Sequence, residues 1–482
     1  MMQSKIVEFG EWLPDQPALG NSATVCQNVI PQAKSYRSIK GLSSFTNALA
    51  SRALSAFWVK DASNDFYNFA GDAGKLYRLS GNTFADVSKS GGYAVTGWEF
   101  AKWGERVIAA SIDAPIQYFD MGTSTLFANL PGSPPQAKHI AIIKDFVFLG
   151  NLKVGSDFYP ERIQWSGYNS SELWTPSLST QADYQDLFGR GGAVQKIVPG
   201  DYGIVFQEHA IRKVTYVGPP TIFEIEEIVK DKGCLAPNSV CWQGKLIYFY
   251  SHDGFYVFDG ESNPVPIGAE KVDRFIKDDF DTTDVNRMHG AIDRRNRAVF
   301  WLYPSRSTGK GRMLCYKPDV QRWSYIDVDA ELIFEYATSA YDLDTIDALL
   351  TDGIDLDTFD MDDSPFKGGD VDFVAFGTDH KLASFAGTPL TATIETGEFS
   401  DFQRRVSVKS ARPLTDGTVT VSVGTRDTQS DAYAYGAAQS RNAAGEANFR
   451  TSARYHRFKA TISGGFTHAL GLDVIYRNEG RR

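Results

Sequence analysis

Short runs of alternating apolar and polar residues, each closed by a Gly- or Asp-containing turn, fill most of the chain. Leu246 to Ser251 (LIYFYS) and Phe255 to Phe258 (FYVF) flank His252-Asp253-Gly254, a spacing that predicts a tight hairpin. FYNFA, the turn GDAG at 71–74, KLYRL, Ser80-Gly81-Asn82 and the apolar pair Phe84 and Val87 repeat that logic. Taking as anchor the residue that ends each such strand gives Gly81, Gly122, Gly167, Gly218, Gly260, a degenerate Asp319, and Gly387. Their spacings are 41, 45, 51, 42, 59 and 68, and an apolar residue follows each anchor closely: Phe84, Phe127, Trp174, Phe223, Val265, Trp323 and Leu390.

Units of this length match a four-stranded propeller blade. One such sheet buries too little by itself, whereas sheets packed face to face around an axis bury both faces and leave short edges. The expectation is an all-β chain folded as a β-propeller of seven four-stranded blades, six or eight being also compatible, with an additional C-terminal β segment. On this reading residues 1–44 form an extended N-terminal segment, 45–400 the propeller, and 401–482 strands that either close the last blade or make a small β-sandwich.

Two stretches depart from the period. Residues 342–363 (DLDTIDALLTDGIDLDTFDMDD) hold nine Asp and no Lys or Arg. They read as an insertion on a blade, with Ile346, Leu349, Leu350, Ile354, Leu356, Phe359 and Met361 available to a partner or a short helix. Asp355, Asp357, Asp360 and Asp362 lack the full spacing and terminal Glu of a calcium loop, so no metal is assigned. After about residue 400 come longer alternating strands, RRVSVKSA, TVTVSVG, YHRFKATIS and ALGLDVIY. Residues 441–482 carry eight basic and three acidic side chains. Opposite charge on separate segments suits head-to-tail association or docking onto a charged ring. The candidate interface residues are Asp342, Asp344, Asp347, Asp355, Asp357 and Asp360 in the insertion, and Arg454, Arg457, Arg477, Arg481 and Arg482 near the C-terminus.

Composition narrows the function. At 482 residues the chain has ample material for a core, and its net charge of −10 argues against a groove reader of DNA. Aromatic residues make up 13% and there are 43 Gly, a balance that favours short strands and turns. Core packing is the simpler reading of that aromatic content. No signal-peptide core or membrane-length apolar run is present, so a soluble chain without membrane contact is expected. Cys26, Cys234, Cys241 and Cys315 form no C-x-x-C pair and read as buried thiols.

Catalytic signatures are missing. G-x-S-x-G, G-x-x-x-x-G-K-[ST], H-E-x-x-H and G-x-G-x-x-G do not occur, and the seven His are dispersed, so no catalytic residue, metal or cofactor is expected. Each His reads as a surface or hydrogen-bonded core residue. A glycoside hydrolase would need two carboxylates, yet Ser251, Asp253 and Gly254 only approach an Asp-box and nominate no pair. A carbohydrate- or receptor-binding adhesin is the stronger alternative, with Trp98, Trp103, Trp165 and Trp174 as possible platforms.

Several segments together resemble the tail-hub proteins of short-tailed bacteriophages, the packaged-DNA stabilisation or tail-nozzle family. They are LPDQPAL (13–19), NVIPQAKSY (28–36), FYPERIQWSGYNSSELWTP (158–176), GIVFQEHAIRKVTYVGPP (203–220), VKDKGCLAPNSVCWQGKLIYFYSHDGFYVFDG (229–260) with AEKVDRFI and HGAIDRRNRAVFWLYP, HKLASFAGTPLTATIETGEF (380–399), and RYHRFKATISGGFTHALGLDV (454–474). The resemblance implies a virion protein assembled in the bacterial host cytoplasm, six copies forming a ring below the portal and its adaptor. Such a ring contacts distal fibre or needle components and encloses a conduit that retains double-stranded DNA until ejection, without sequence specificity. It implies no enzyme. An acidic or neutral lumen would let a polyanion slide without adhesive phosphate contacts.

Overall fold

The computed structural model describes residues 2–18, 22–337, 371–401 and 404–479. Seven four-stranded antiparallel units succeed one another: blade 1 (55–86), blade 2 (99–129), blade 3 (136–186), blade 4 (194–229), blade 5 (241–266), blade 6 (289–327) and blade 7 (330–384). Every anchor residue lies at or just after the end of the third strand of its blade, and Gly81, Gly122, Gly218 and Gly260 take φ between +57° and +84°, where an L side chain is strained. The turn Gly therefore marks the period because the backbone, not a ligand, requires it.

The first strands of neighbouring blades touch in turn around the ring, from Ser55–Lys60 through Glu99–Trp103 and Gln136–Ile143 to Ala330–Ala337, which meets Ser55–Lys60 again; between blades 4 and 5 the contact of Val194–Val198 is with the turn Pro237–Ser239. Separate apolar clusters fill the gaps between blades. Phe69, Phe119 and Phe127 lie between blades 1 and 2, Phe148, Trp165 and Phe223 between 3 and 4, Phe206 and Phe249 between 4 and 5, and Phe376 with Leu332 and Phe84 between 7 and 1. Side chains on both faces of each sheet are thus withdrawn from water, which explains the aromatic abundance.

Closure of the ring comes from the N-terminal side. Ser43–Ala48 is the fourth strand of blade 7, antiparallel to Lys381–Ser384, with Thr46 Oγ1 accepting from the Leu382 amide at 3.0 Å. The C-terminal strands do not close the propeller. They form a sandwich, and the N-terminal strands Gln3–Glu8, Ala23–Gln27, Val29–Pro31 and Tyr36–Ser38 are part of it rather than a separate extension. One sheet joins Val29–Pro31, Tyr36–Ser38, Ala469–Asn478, Val406–Thr415 and Ala447–Ala453, with Gln3–Glu8 also paired to Ala469–Asn478. The other runs through Ala23–Gln27, Ala392–Thr396, Tyr455–Ser463 and Thr418–Arg426. Because Ala392–Thr396 already belongs to the sandwich, the propeller ends before residue 392 rather than at 400.

Propeller and sandwich share one core. Trp301, Trp323 and Phe255 of blades 5 and 6 belong to the same buried cluster as Val408, Val421, Phe458 and Leu472. Gln27 pairs in parallel with Tyr325, which continues the sheet of blade 6 into the sandwich. Arg322 adds polar anchorage: nearly buried, it donates to the carbonyls of Gly10 (2.6 Å), Gln32 (2.7 Å), Ala33 (3.2 Å) and Phe9 (3.3 Å). The seven-residue helix Asp273–Asp279 is fastened to blade 6 through Asp279 and Arg312, 2.9 Å apart. All four cysteines are free and buried. Among the described residues no helix is long and apolar enough to cross a membrane.

Candidate functional site at the propeller mouth

The inner strands of several blades begin with a polar or charged residue, and the circular arrangement gathers these starts at one end of the axis. Glu99 opens the inner strand of blade 2 and His289 that of blade 6. Lys138 and His139 lie in the inner strand of blade 3, and Lys196 in that of blade 4. Arg52 precedes blade 1, and Glu331 is the second residue of Ala330–Ala337. Together with Asp284, Asn286 and Asn238, Arg52, Glu99, Lys138, His139 and His289 line a cavity of about 330 Å³.

Glu99 is saturated. Its Oε1 is 3.0 Å from Lys196 Nζ and its Oε2 is 2.8 Å from His139 Nδ1. Burial pushes the Glu99 carboxyl up, but the Lys196 charge and the His139 hydrogen bond outweigh it and hold it below the ordinary value. Burial pushes His139 down to about 4, against the pull of Glu99. A neutral ring facing an ionised carboxylate carries its proton on Nδ1, so Nδ1–H donates and Nε2 is left bare. His139 Nε2 is buried with no hydrogen-bond partner. His289 is pushed down to about 3, first by burial and then by the charges of Arg52, Lys196 and Arg287. Glu331 Oε1 accepts from the Ala53 amide at 2.8 Å, and Oε2 is 3.0 Å from His380 Nδ1.

The residues singled out from sequence fare differently. Asp342, Asp344, Asp347, Asp355, Asp357, Asp360, Arg481 and Arg482 fall outside the described residues. Arg457 is already engaged: its guanidinium is 3.0 Å from Glu395 Oε1 and lies over the Tyr433 ring at 4.2 Å. Arg454 and Arg477 are exposed and sit at the same end of the sandwich, since Val406 pairs with both Ala453 and Asn478. The aromatic platform is corrected, because Trp98, Trp165 and Trp174 are buried at 6%, 2% and 4% exposure. Their indole N–H groups donate to the Asp72, Gln181 and Ser171 carbonyls at 2.9 Å each. His456 departs from the expected surface or hydrogen-bonded role, with both ring nitrogens buried and partnerless. Among the described residues no group of three or more His, Cys, Asp or Glu is placed to hold a metal ion.

Sequence reasoning also missed an apolar facet on blades 3 and 4. Phe158, Leu178 and Phe188 are 63%, 64% and 74% exposed, and Tyr168, Leu173, Tyr184 and Val217 are exposed as well. Local contacts order this surface. Arg162 lies over the rings of Tyr159 and Tyr184 at 3.9 and 4.2 Å, and Tyr216 donates to Gln181 Oε1 at 2.8 Å across the two blades. The clue in the sequence was the lengthened connection from Gly167 to Asp183, which interrupts the blade period and sets Tyr168, Leu173 and Leu178 among mostly polar residues.

No family model and no curated protein matches the chain. Similar solved structures include one described as the extracellular domain of a one-component system from B. thetaiotaomicron, at 10% identity and a TM-score of 0.43. That match covers 83% of this chain and 45% of the other, so the chain spans under half of that structure. Another is the computationally designed Ika8 protein, at 12% identity and a TM-score of 0.37, covering 71% of this chain and 98% of the designed one.

Proposed function

We propose that the chain is a non-enzymatic structural subunit of the tail of a short-tailed bacteriophage, assembling as a ring below the portal and adaptor around a conduit for packaged DNA. The segments from LPDQPAL to HALGLDV that resemble tail-hub proteins support this reading, as does a propeller welded to a sandwich through one core. The observation that carries it is the apolar facet on blades 3 and 4. Phe158, Leu178 and Phe188 stand in water on an otherwise well-packed fold, and exposed apolar clusters of this kind mark protein contact surfaces. The partner assigned to the facet is a neighbouring copy of the chain. The exposed Arg454 and Arg477 suit an acidic docking surface, with Arg457 excluded by its internal ion pair.

Native mass spectrometry of wild type and of a Leu178→Glu/Phe188→Glu variant tests the reading. Rings are expected from wild type alone or on mixing with portal–adaptor complex, and folded monomers from the variant. Wild-type protein that stays monomeric in both settings would refute it.

A further inference from the structure

Two cations at the propeller mouth make no direct ion pair. Arg52 and Lys138 both line the cavity, and neither makes a side-chain hydrogen bond or ion pair with a described residue. Arg52 Nε is buried without a partner. The carboxylates nearby, Glu99, Glu331 and Asp284, act on these cations through charge alone and spend their hydrogen bonds on other groups. Glu99 is held by Lys196 and His139, and Glu331 by the Ala53 amide and His380. Asp284 is exposed and uses Oδ1 to accept from the backbone and side-chain amides of Asn286, both at 3.1 Å. Arg287, a third cation, lies close enough to Arg52 to lower its pKa, after burial has already done so; Lys138 is also lowered by burial. His289, 6% exposed, faces the same cavity with no ring hydrogen bond.

Half-burying a guanidinium and an ammonium without a direct ion pair is unfavourable, and the same two groups are the usual holders of phosphate oxygens. We propose that the cavity at the propeller mouth binds a small oxyanion, a phosphate group, between the Arg52 guanidinium and the Lys138 ammonium, with a neutral His289 N–H as a further donor. The site is independent of ring assembly: it lies on the axis of one propeller, whereas the apolar facet lies on the outer parts of blades 3 and 4.

The test is calorimetric binding and thermal unfolding of the full chain in sodium phosphate and in sodium chloride of matched ionic strength. Wild type, Arg52→Met, Lys138→Met and, as a surface control, Lys75→Met are compared. Phosphate is expected to raise the wild-type and Lys75→Met midpoints. Each mouth substitution is expected to weaken phosphate binding at least about tenfold, the loss of one charge-assisted contact. In phosphate-free buffer Lys138→Met is expected to unfold at a higher temperature than wild type, since it removes a half-buried charge that has no direct ion pair. A merely structural lysine would give the opposite sign. The proposal is overturned if phosphate gives wild type no gain over chloride, if Arg52→Met and Lys138→Met bind phosphate as wild type does, or if Lys138→Met is destabilised without phosphate. Glycerol phosphate in a parallel titration distinguishes a free phosphate from one carried on a larger molecule: tighter binding than inorganic phosphate supports the carried form, equal or weaker binding the free ion.

Discussion

Replacing Asp279 with Asn should loosen the junction between helix Asp273–Asp279 and blade 6. The carboxylate accepts from Tyr303 Oη at 2.9 Å, Ser305 Oγ at 2.8 Å, the Ser307 amide at 3.0 Å and Arg312 at 2.9 Å. Asp279 and Arg312 are only 7% and 8% exposed. An Asn has the same shape but presents two N–H donors where four donors converge, so at least one donor pair is forced together. Breaking a buried ion pair by removing one partner costs about 3–5 kcal/mol. Arg312 keeps Asp327, 2.7 Å from its Nε, which places Asp279→Asn at the lower end, roughly 3 kcal/mol. Urea is the suitable denaturant because it does not screen charge, and Trp301 and Trp323 in the adjoining core report unfolding by fluorescence. A double-mutant cycle with Arg312→Met isolates the pair, with an expected coupling of about 1 kcal/mol or more. Burial pushes the Asp279 carboxyl up, yet the bonds from Ser307 and Ser305 and the Arg312 charge leave it below its ordinary value. The stabilisation is therefore complete above the unfolded carboxylate pKa and is lost as pH falls through the lower folded one, so the gap between wild type and Asp279→Asn should narrow below about pH 4. A loss under about 0.5 kcal/mol at neutral pH, or two single losses that simply add, would refute the reasoning.

Two further outcomes follow from buried groups elsewhere. His139 and His289 are held neutral, down to about 4 and about 3, so the unfolded chain binds more protons below pH 6.5 and stability should fall on acidification. Each should contribute a loss on the order of 3 kcal/mol by pH 4, and a flat profile between pH 7 and 4.5 in urea titrations would contradict the burial assigned to them. Arg322→Met removes hydrogen bonds to four carbonyls of the N-terminal segment and should cost roughly 3 kcal/mol, with hydrogen exchange rising first in residues 9–33. Exchange that rises evenly over the chain would separate Arg322 from that anchoring role.

The blade period was legible because in blades 1, 2, 4 and 5 the third strand turns toward the fourth through a residue of positive φ, and Gly81, Gly122, Gly218 and Gly260 write that backbone demand directly into the sequence. Non-local pairing was not legible. Ala23–Gln27 meets Ala392–Thr396 across most of the chain, and Ser43–Ala48 completes a blade whose other strands lie beyond residue 330; short alternating strands do not specify distant partners. The mouth cluster was hidden for a related reason. Arg52, Glu99, Lys138, Lys196 and His289 are scattered at intervals set by blade length, and only closure of the ring places them together. Trp98, Trp165 and Trp174 fit the core-packing reading, and their N–H groups reach backbone carbonyls inside the fold, whereas Trp103 is half-buried. Leu178 and Phe188 were passed over because apolar residues in a strand-rich chain read by default as interior.

Electron microscopy of the purified chain mixed with a portal–adaptor complex tests the structural reading most directly. A ring of propellers coaxial with the portal, its subunit contacts falling on the facet of Phe158, Leu178 and Phe188, is the predicted result. Portal particles that remain bare, with the protein dispersed as single propellers, would contradict it.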